Sequence, residues 1–166
     1  MPDAGFDSFA AFVAARQGAL LRAATLVSGD PHLAQDLLQD ALVKLARVWH
    51  RVGSEYPEAY VRRVLYRDLI SWRRRLRRES LGTVVEVPAA DSSTAVVERM
   101  ALWTALAQLT LKQRAVLVLR FYEDLTEQQA ADLLGVTVGT VKSQTHAALA
   151  RLRAQIPELQ LERGGR

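Results

Sequence analysis

The sequence predicts an all-α fold: two small helical domains joined by a flexible linker. Three observations lead there. Apolar residues recur every three or four positions through several long segments, which places them on one face of a helix. Residues 79–93, ESLGTVVEVPAADSS, lose that period and mix Gly, Pro, Ser and acidic residues as a linker does. Nearer the C-terminus, residues 125–153, LTEQQAADLLGVTVGTVKSQTHAALARLR, read as two short helices joined by a Gly-containing turn, a helix-turn-helix. Composition agrees: 49% of the residues are hydrophobic but only 7% aromatic, so the chain has apolar material for a core and the make-up of helices rather than of a disordered tract.

The elements follow in order. Phe9, Phe12, Val13, Leu20 and Leu26 mark a first helix within residues 6–27, closed by Ser28-Gly29-Asp30-Pro31. Asp30 is placed to cap a second helix with Pro31 in its first turn, running through Leu33, Leu37, Leu38, Ala41, Leu42, Leu45 and Trp49. Residues 51–57 break the pattern. A third helix runs from Pro57 to about Arg78, with Val61, Val64, Leu65, Leu69, Ile70 and Trp72 facing inward. These three can bury one another as a bundle, the domain of residues 1–78. Beyond the linker, the second domain spans 94–166. Its first helix covers about 94–108, and Thr110 opens a capping box with Gln113 ahead of Ala115, Val116, Leu119 and Phe121.

In the helix-turn-helix, Thr126 and Gln129 form another capping box, and Ala130, Ala131, Leu133 and Leu134 give an inward face. Gly135 ends that helix, and Thr137 caps the next. Val141, Thr145, Leu149, Leu152 and Ile156 make a buried stripe, and Ala131 is small enough for the helices to cross closely. Lys142, Ser143 and His146 fall off the stripe in the first two turns. There a recognition helix meets base edges and phosphates, although a plain helical hairpin with a solvated face would show the same period.

The third helix carries Arg62, Arg63, Arg67, Arg73, Arg74, Arg75, Arg77 and Arg78, opposed locally only by Asp68 and Glu79. That density suits a phosphate-binding surface; it also suits a solvated helix end facing its own dipole. Tyr56, Tyr60 and Tyr66 lie before or among these arginines, as stacking on unpaired bases requires, although buried tyrosine rings are the commoner outcome. On the second helix Asp36 and Asp40 share one face with Gln39 between them. They read as an acid/base pair, a metal site, a docking face or merely a solvated one. No histidine or third carboxylate is placed with them, and no nucleophile elbow, Gly-rich phosphate loop or metal spacing appears elsewhere, so no catalytic, metal or cofactor site is expected. With no cysteine, disulfides and thiolate metal sites are excluded. The net charge of +4 permits an anionic partner without requiring one. No signal peptide is evident, and charge interrupts every apolar run before the ~20 residues a membrane span needs, so a cytoplasmic address is expected.

Taken together, DLLQDALVKLARVW, AYVRRVLYRDLISWRRRLRR and LTLKQRAVLVLRFYEDLTEQQAADLLGVTVGTVKSQTHAALARLR, with the linker between the last two, resemble an extracytoplasmic-function sigma factor of the bacterial sigma-70 family over nearly the whole chain. The resemblance implies that the first domain, of region 2 type, docks on core RNA polymerase and opens the −10 promoter element. The second, of region 4 type, reads the −35 element. It implies that Asp36, Leu37, Gln39 and Asp40 contact the polymerase clamp. Loop 51–57 captures a flipped base beside Tyr56, with Tyr60, Arg63, Tyr66, Arg67 and Arg74 along the opened strand. At the −35 duplex it implies Thr137, Thr140, Lys142, Ser143, Gln144 and His146. The chain departs from the family at Arg67, commonly Asn, and at Gln144 and Ala147, commonly Arg, which removes two guanidinium contacts from the recognition helix. Members are often held by an anti-sigma partner clamped on the two domains. A stand-alone regulator using only the C-terminal reader is the alternative, and a helical nucleic-acid enzyme a third. The arginine helix, its aromatic loop and the acidic segment favour the initiation subunit, since a simple repressor has no need of a single-strand surface.

Overall fold

Helix boundaries in this chain are set by caps that the side chains provide themselves. A computed structural model describes residues 8–52, 56–79 and 94–155. Linker residues 80–93, residues 53–55 of the break, Phe6 and Ile156 lie outside the described residues. Helix α1, Phe9–Ser28, starts at Ser8, whose hydroxyl accepts from the Ala11 amide, and ends on left-handed Gly29 at φ 74°. Asp30 then caps α2, Pro31–Val52, accepting from the His32 and Leu33 amides at 2.9 and 3.1 Å. Helix α3, Pro57–Glu79, completes the bundle. Phe9 meets Trp49 edge-on at 5.6 Å, and Phe12, Leu20, Leu38, Leu45, Val61, Leu65 and Leu69 fill the centre. Each large side chain buried there contributes about 1.5–3 kcal/mol.

By length and composition α1 is apolar enough to cross a bilayer, contrary to the expectation that every apolar run is too short. Its stripe of Phe12, Leu20, Ala23, Ala24 and Val27 is instead buried in the bundle core.

In the second half, α4 spans Thr94–Ala107 and α5 spans Leu111–Leu117, followed by a five-residue π-helical turn, Val118–Tyr122. The helix-turn-helix is α6, Glu127–Leu134, and α7, Val138–Gln155. Both capping boxes expected from the sequence form: Thr110 with Gln113, and Thr126 with Gln129. The π turn was not anticipated. Its wider winding shifts the register after Leu119, and Phe121, expected to face inward, is 62% exposed with the Arg120 guanidinium 6.0 Å from its ring centre.

The two halves share a core. Leu111, Ala115, Val116, Val118, Leu119, Ala130, Ala131, Leu133 and Val141 join the bundle residues in one apolar cluster, with α1 and α3 against α5, the π turn and α6. A second cluster, Ala105, Leu106, Leu109, Leu117, Ala148 and Leu152, is met by Leu26 of α1.

The turn between α6 and α7 rests on Gly135 at φ 67°, where the amides of Gly135 and Val136 both reach the Ala131 carbonyl. An added Cβ meets nothing within 4 Å, so only the left-handed backbone opposes a side chain. Gly135→Ala is expected to lower the unfolding free energy by about 1 kcal/mol in urea titration. Gly139→Ala, in α7 with ordinary 3.7 Å contact to Thr137, should cost nothing; equal losses at both would remove the backbone explanation.

Candidate nucleic-acid interface

The outer face of α7 is prepared by the turn that precedes it. The Thr137 hydroxyl accepts the Thr140 amide at 3.1 Å and shares a 2.9 Å hydrogen bond with the Thr140 hydroxyl, so both threonines are engaged in starting the helix. Beyond them Lys142, Ser143 and His146 are exposed. Lys142 Nζ lies 3.6 Å from Glu127 Oε2, a solvent-exposed pair that is easily traded for a phosphate. The Ser143 hydroxyl donates to the Thr140 carbonyl at 3.0 Å. Gln144 differs: it is half-buried and lines a cleft against Arg73 and Arg74 of α3.

On α3, Arg63, Arg67 and Arg74 are exposed and recur at helical spacing. Tyr56, just before the helix, is 62% exposed, whereas Tyr60 is half-buried against the core. Tyr66 is fully buried, which corrects its expected place on a strand-facing surface. Its ring joins the shared core and its hydroxyl lies beside Glu123 of the second domain. Burial, then the Glu123 charge, holds that phenol well above its ordinary pKa, so it stays neutral. Asp68, which the sequence sets against its neighbouring arginines, instead pairs with Lys44 of α2 at 2.7 Å. The side chains of Arg77 and Arg78 lie outside the described residues.

The acidic face of α2 divides in two. Asp36, Gln39 and Asp40 are exposed on one side of the helix, whereas Leu37 is 9% exposed and belongs to the core, which corrects its expected role as a surface contact. Its helical register sets it beside Leu38 and Ala41, facing α1 and α3.

Sequence reasoning missed the ionic group at the domain junction. Arg62 bridges Glu58 on its own helix at 2.7 Å and Glu123 after the π turn at 2.6 Å, and Arg16 of α1 joins through a Glu58 contact of 2.8 Å. Arg22 donates to the Tyr122 hydroxyl at 3.3 Å nearby. A cavity of about 250 Å³ is lined by Arg16, Leu20, Glu58, Arg62, Tyr122 and Glu123. The Glu58–Arg62 spacing is legible as an i,i+4 pair, but nothing local ties Arg62 to a residue sixty positions on. Burial raises the Glu123 carboxyl above its ordinary value of 4.5; Arg62 pulls it back down, and Glu58 adds to the rise.

Comparison with known proteins agrees with both halves. Residues 12–79 match the family described as Sigma-70 region 2, and residues 99–152 match Sigma-70, region 4. The RNA polymerase sigma-E factor of Streptomyces coelicolor is 39% identical over 151 residues, covering 89% of this chain and 85% of its own. The ECF RNA polymerase sigma factor SigL of Mycobacterium tuberculosis is 31% identical over 152 residues, covering 87% and 86%. Among solved structures, the sigma factor RpoE in complex with the anti-sigma factor NepR from Bartonella quintana aligns with a TM-score of 0.71 at 26% identity, over 93% of this chain and 98% of that one. The chain belongs to the extracytoplasmic-function sigma factors of the sigma-70 family. It is a regulatory factor for promoter-directed initiation by RNA polymerase.

The Glu123 environment has a pH consequence of definite sign. The packed state favours the protonated carboxyl, while the unfolded or separated state titrates at the ordinary 4.5. Wild-type stability relative to Glu123→Gln is therefore expected to rise as pH falls from the raised value toward 4.5, and to level off below it. Thermal midpoints of both chains across that window check it. A relative loss on acidification would show that the Arg62 attraction outweighs desolvation.

Proposed function

We propose that the chain divides its labour between residues 1–78 and 94–166, with residues 79–93 as the link. The exposed acidic face Asp36, Gln39 and Asp40 docks on a basic surface of core RNA polymerase. Tyr56, Arg63, Arg67 and Arg74 receive the nontemplate strand of the −10 element, where the exposed ring stacks on an extruded base and the arginines follow phosphates. Tyr60 supports that surface from its half-buried position. Thr137, Thr140, Lys142, Ser143, Gln144 and His146 present the start of α7 to the −35 major groove. Gln144 also has to leave the cleft at Arg73 and Arg74 to do so. The observation that carries this reading is one chain with two exposed polar faces, the arginine row of α3 and the Lys142, Ser143 and His146 face at the start of α7, which Thr137 caps.

The protein has no catalytic residues of its own in this scheme. It works where polymerase and chromosome are, in the cytoplasm. An anti-sigma partner is part of the proposal: the RpoE structure to which this chain is similar is a complex with one.

Run-off transcription with purified core polymerase on a library of promoter fragments tests the reading. Promoter-specific initiation is expected; tight duplex binding without any initiation would sink it. Tyr56→Ala should reduce promoter opening, read by permanganate reactivity of the −10 strand, with polymerase binding retained. Lys142→Ala should weaken −35 binding and lower the salt slope of duplex affinity by about 1. An unchanged slope would take Lys142 off the phosphate backbone.

A further inference from the structure

Between the end of α3 and the second domain lies an open cleft of about 780 Å³, within the size range of small-ligand sites. It is lined by Ile70, Arg73 and Arg74 from α3, by Thr110, Leu111, Lys112 and Gln113 around the start of α5, and by Gln144 from α7. Three of these side chains are cations and none is a carboxylate. Arg114, next in sequence to Gln113 but outside the lining, is only 2% exposed, and its Nε has no hydrogen-bond partner among the described residues. None of Arg73, Arg74, Lys112 and Arg114 takes part in an ion pair among the described residues.

Arg114 is buried near Arg73, and its titration reflects both. Burial, then the Arg73 charge, lowers Arg114 to about 10. Domain packing therefore brings Arg73 and Arg74 of α3 and Lys112 of the second domain around one cleft, with no carboxylate among its described lining residues. Beside Thr110 and Gln113, which are engaged in the capping box of α5, the polar groups are donors suited to phosphate oxygens: guanidinium forks, an ammonium and the Gln144 amide.

We propose that this cleft is a composite oligophosphate seat, complete only when the two domains are packed, and that its ligand holds them together by neutralising Arg73, Arg74 and Lys112. The shared chemistry is a run of linked phosphates, from a free oligophosphate or from a nucleic-acid backbone. Because the ligand needs both domains, binding and packing are linked, and each strengthens the other. The seat lies beside the −35 reader through Gln144, so an occupied cleft keeps that residue from duplex DNA.

The test uses the full chain without polymerase. Inorganic tripolyphosphate is titrated calorimetrically at constant ionic strength, with short single-stranded oligodeoxythymidine as a competitor. Saturable binding is expected, weakened at least about tenfold in Arg73→Ala/Lys112→Ala, both of whose sites line the cleft, with circular dichroism confirming the fold. Arg47→Ala, an exposed site that does not line the cleft, should bind as wild type. Competition by the oligonucleotide identifies a nucleic-acid backbone as a source; its absence leaves free oligophosphate as the ligand, and either result upholds the seat. Since the chain has no cysteine, Val43→Cys/Val136→Cys at exposed positions accepts a spin-label pair across the two domains. Ligand should hold that pair at the packed distance. No saturable binding, equal binding by the double variant, or a lengthened label distance on binding would each overturn the proposal.

Discussion

The packing of α1 and α3 against α5, the π turn and α6 decides which surfaces of this protein face solvent. An apolar cluster runs continuously from Phe12 and Leu65 of the bundle to Leu119 and Val141 of the second half. At its edge Arg62 is shared between Glu58 and Glu123. The apolar area supplies the attraction. The ionic group adds little to it: Glu123 gives up water on packing and regains only part of that cost from Arg62.

The functional faces sort themselves around that junction. Residues on the outside of their helices, Asp36, Gln39, Asp40, Arg63, Arg67, Lys142, Ser143 and His146, are exposed with the halves packed together. Those pointing toward the other domain, Tyr66 and Gln144, are taken up by packing. One helix, α3, thus presents an arginine row outward and contributes Val61, Leu65, Tyr66 and Leu69 inward.

The cations follow the same division. Arg63 and Arg67 face water, where solvent screens their mutual repulsion, and Lys142 has an exposed carboxylate within reach. Arg73, Arg74 and Lys112 are brought from two domains to one open cleft, where Arg74 and Lys112 are exposed, Arg73 is half-buried, and no carboxylate is among the described lining residues.

By itself the sequence determined the helices and their ends, because caps and apolar periods act over a few residues. Asp30 before Pro31, Thr110 with Gln113, Thr126 with Gln129, and Gly135 are all local devices, and each appears where the spacing places it. The exposed members of the candidate site were legible for the same reason: residues off an apolar stripe point away from the core. The tertiary structure alone decided the fate of Tyr66, Phe121 and Gln144, and brought Glu123 to Arg62 and Arg73 to Arg114. Those outcomes depend on a π turn that resets the helical register and on contacts between residues far apart in the chain. No periodicity of 3.6 records them, since burial by a second domain leaves no mark on the spacing of the first.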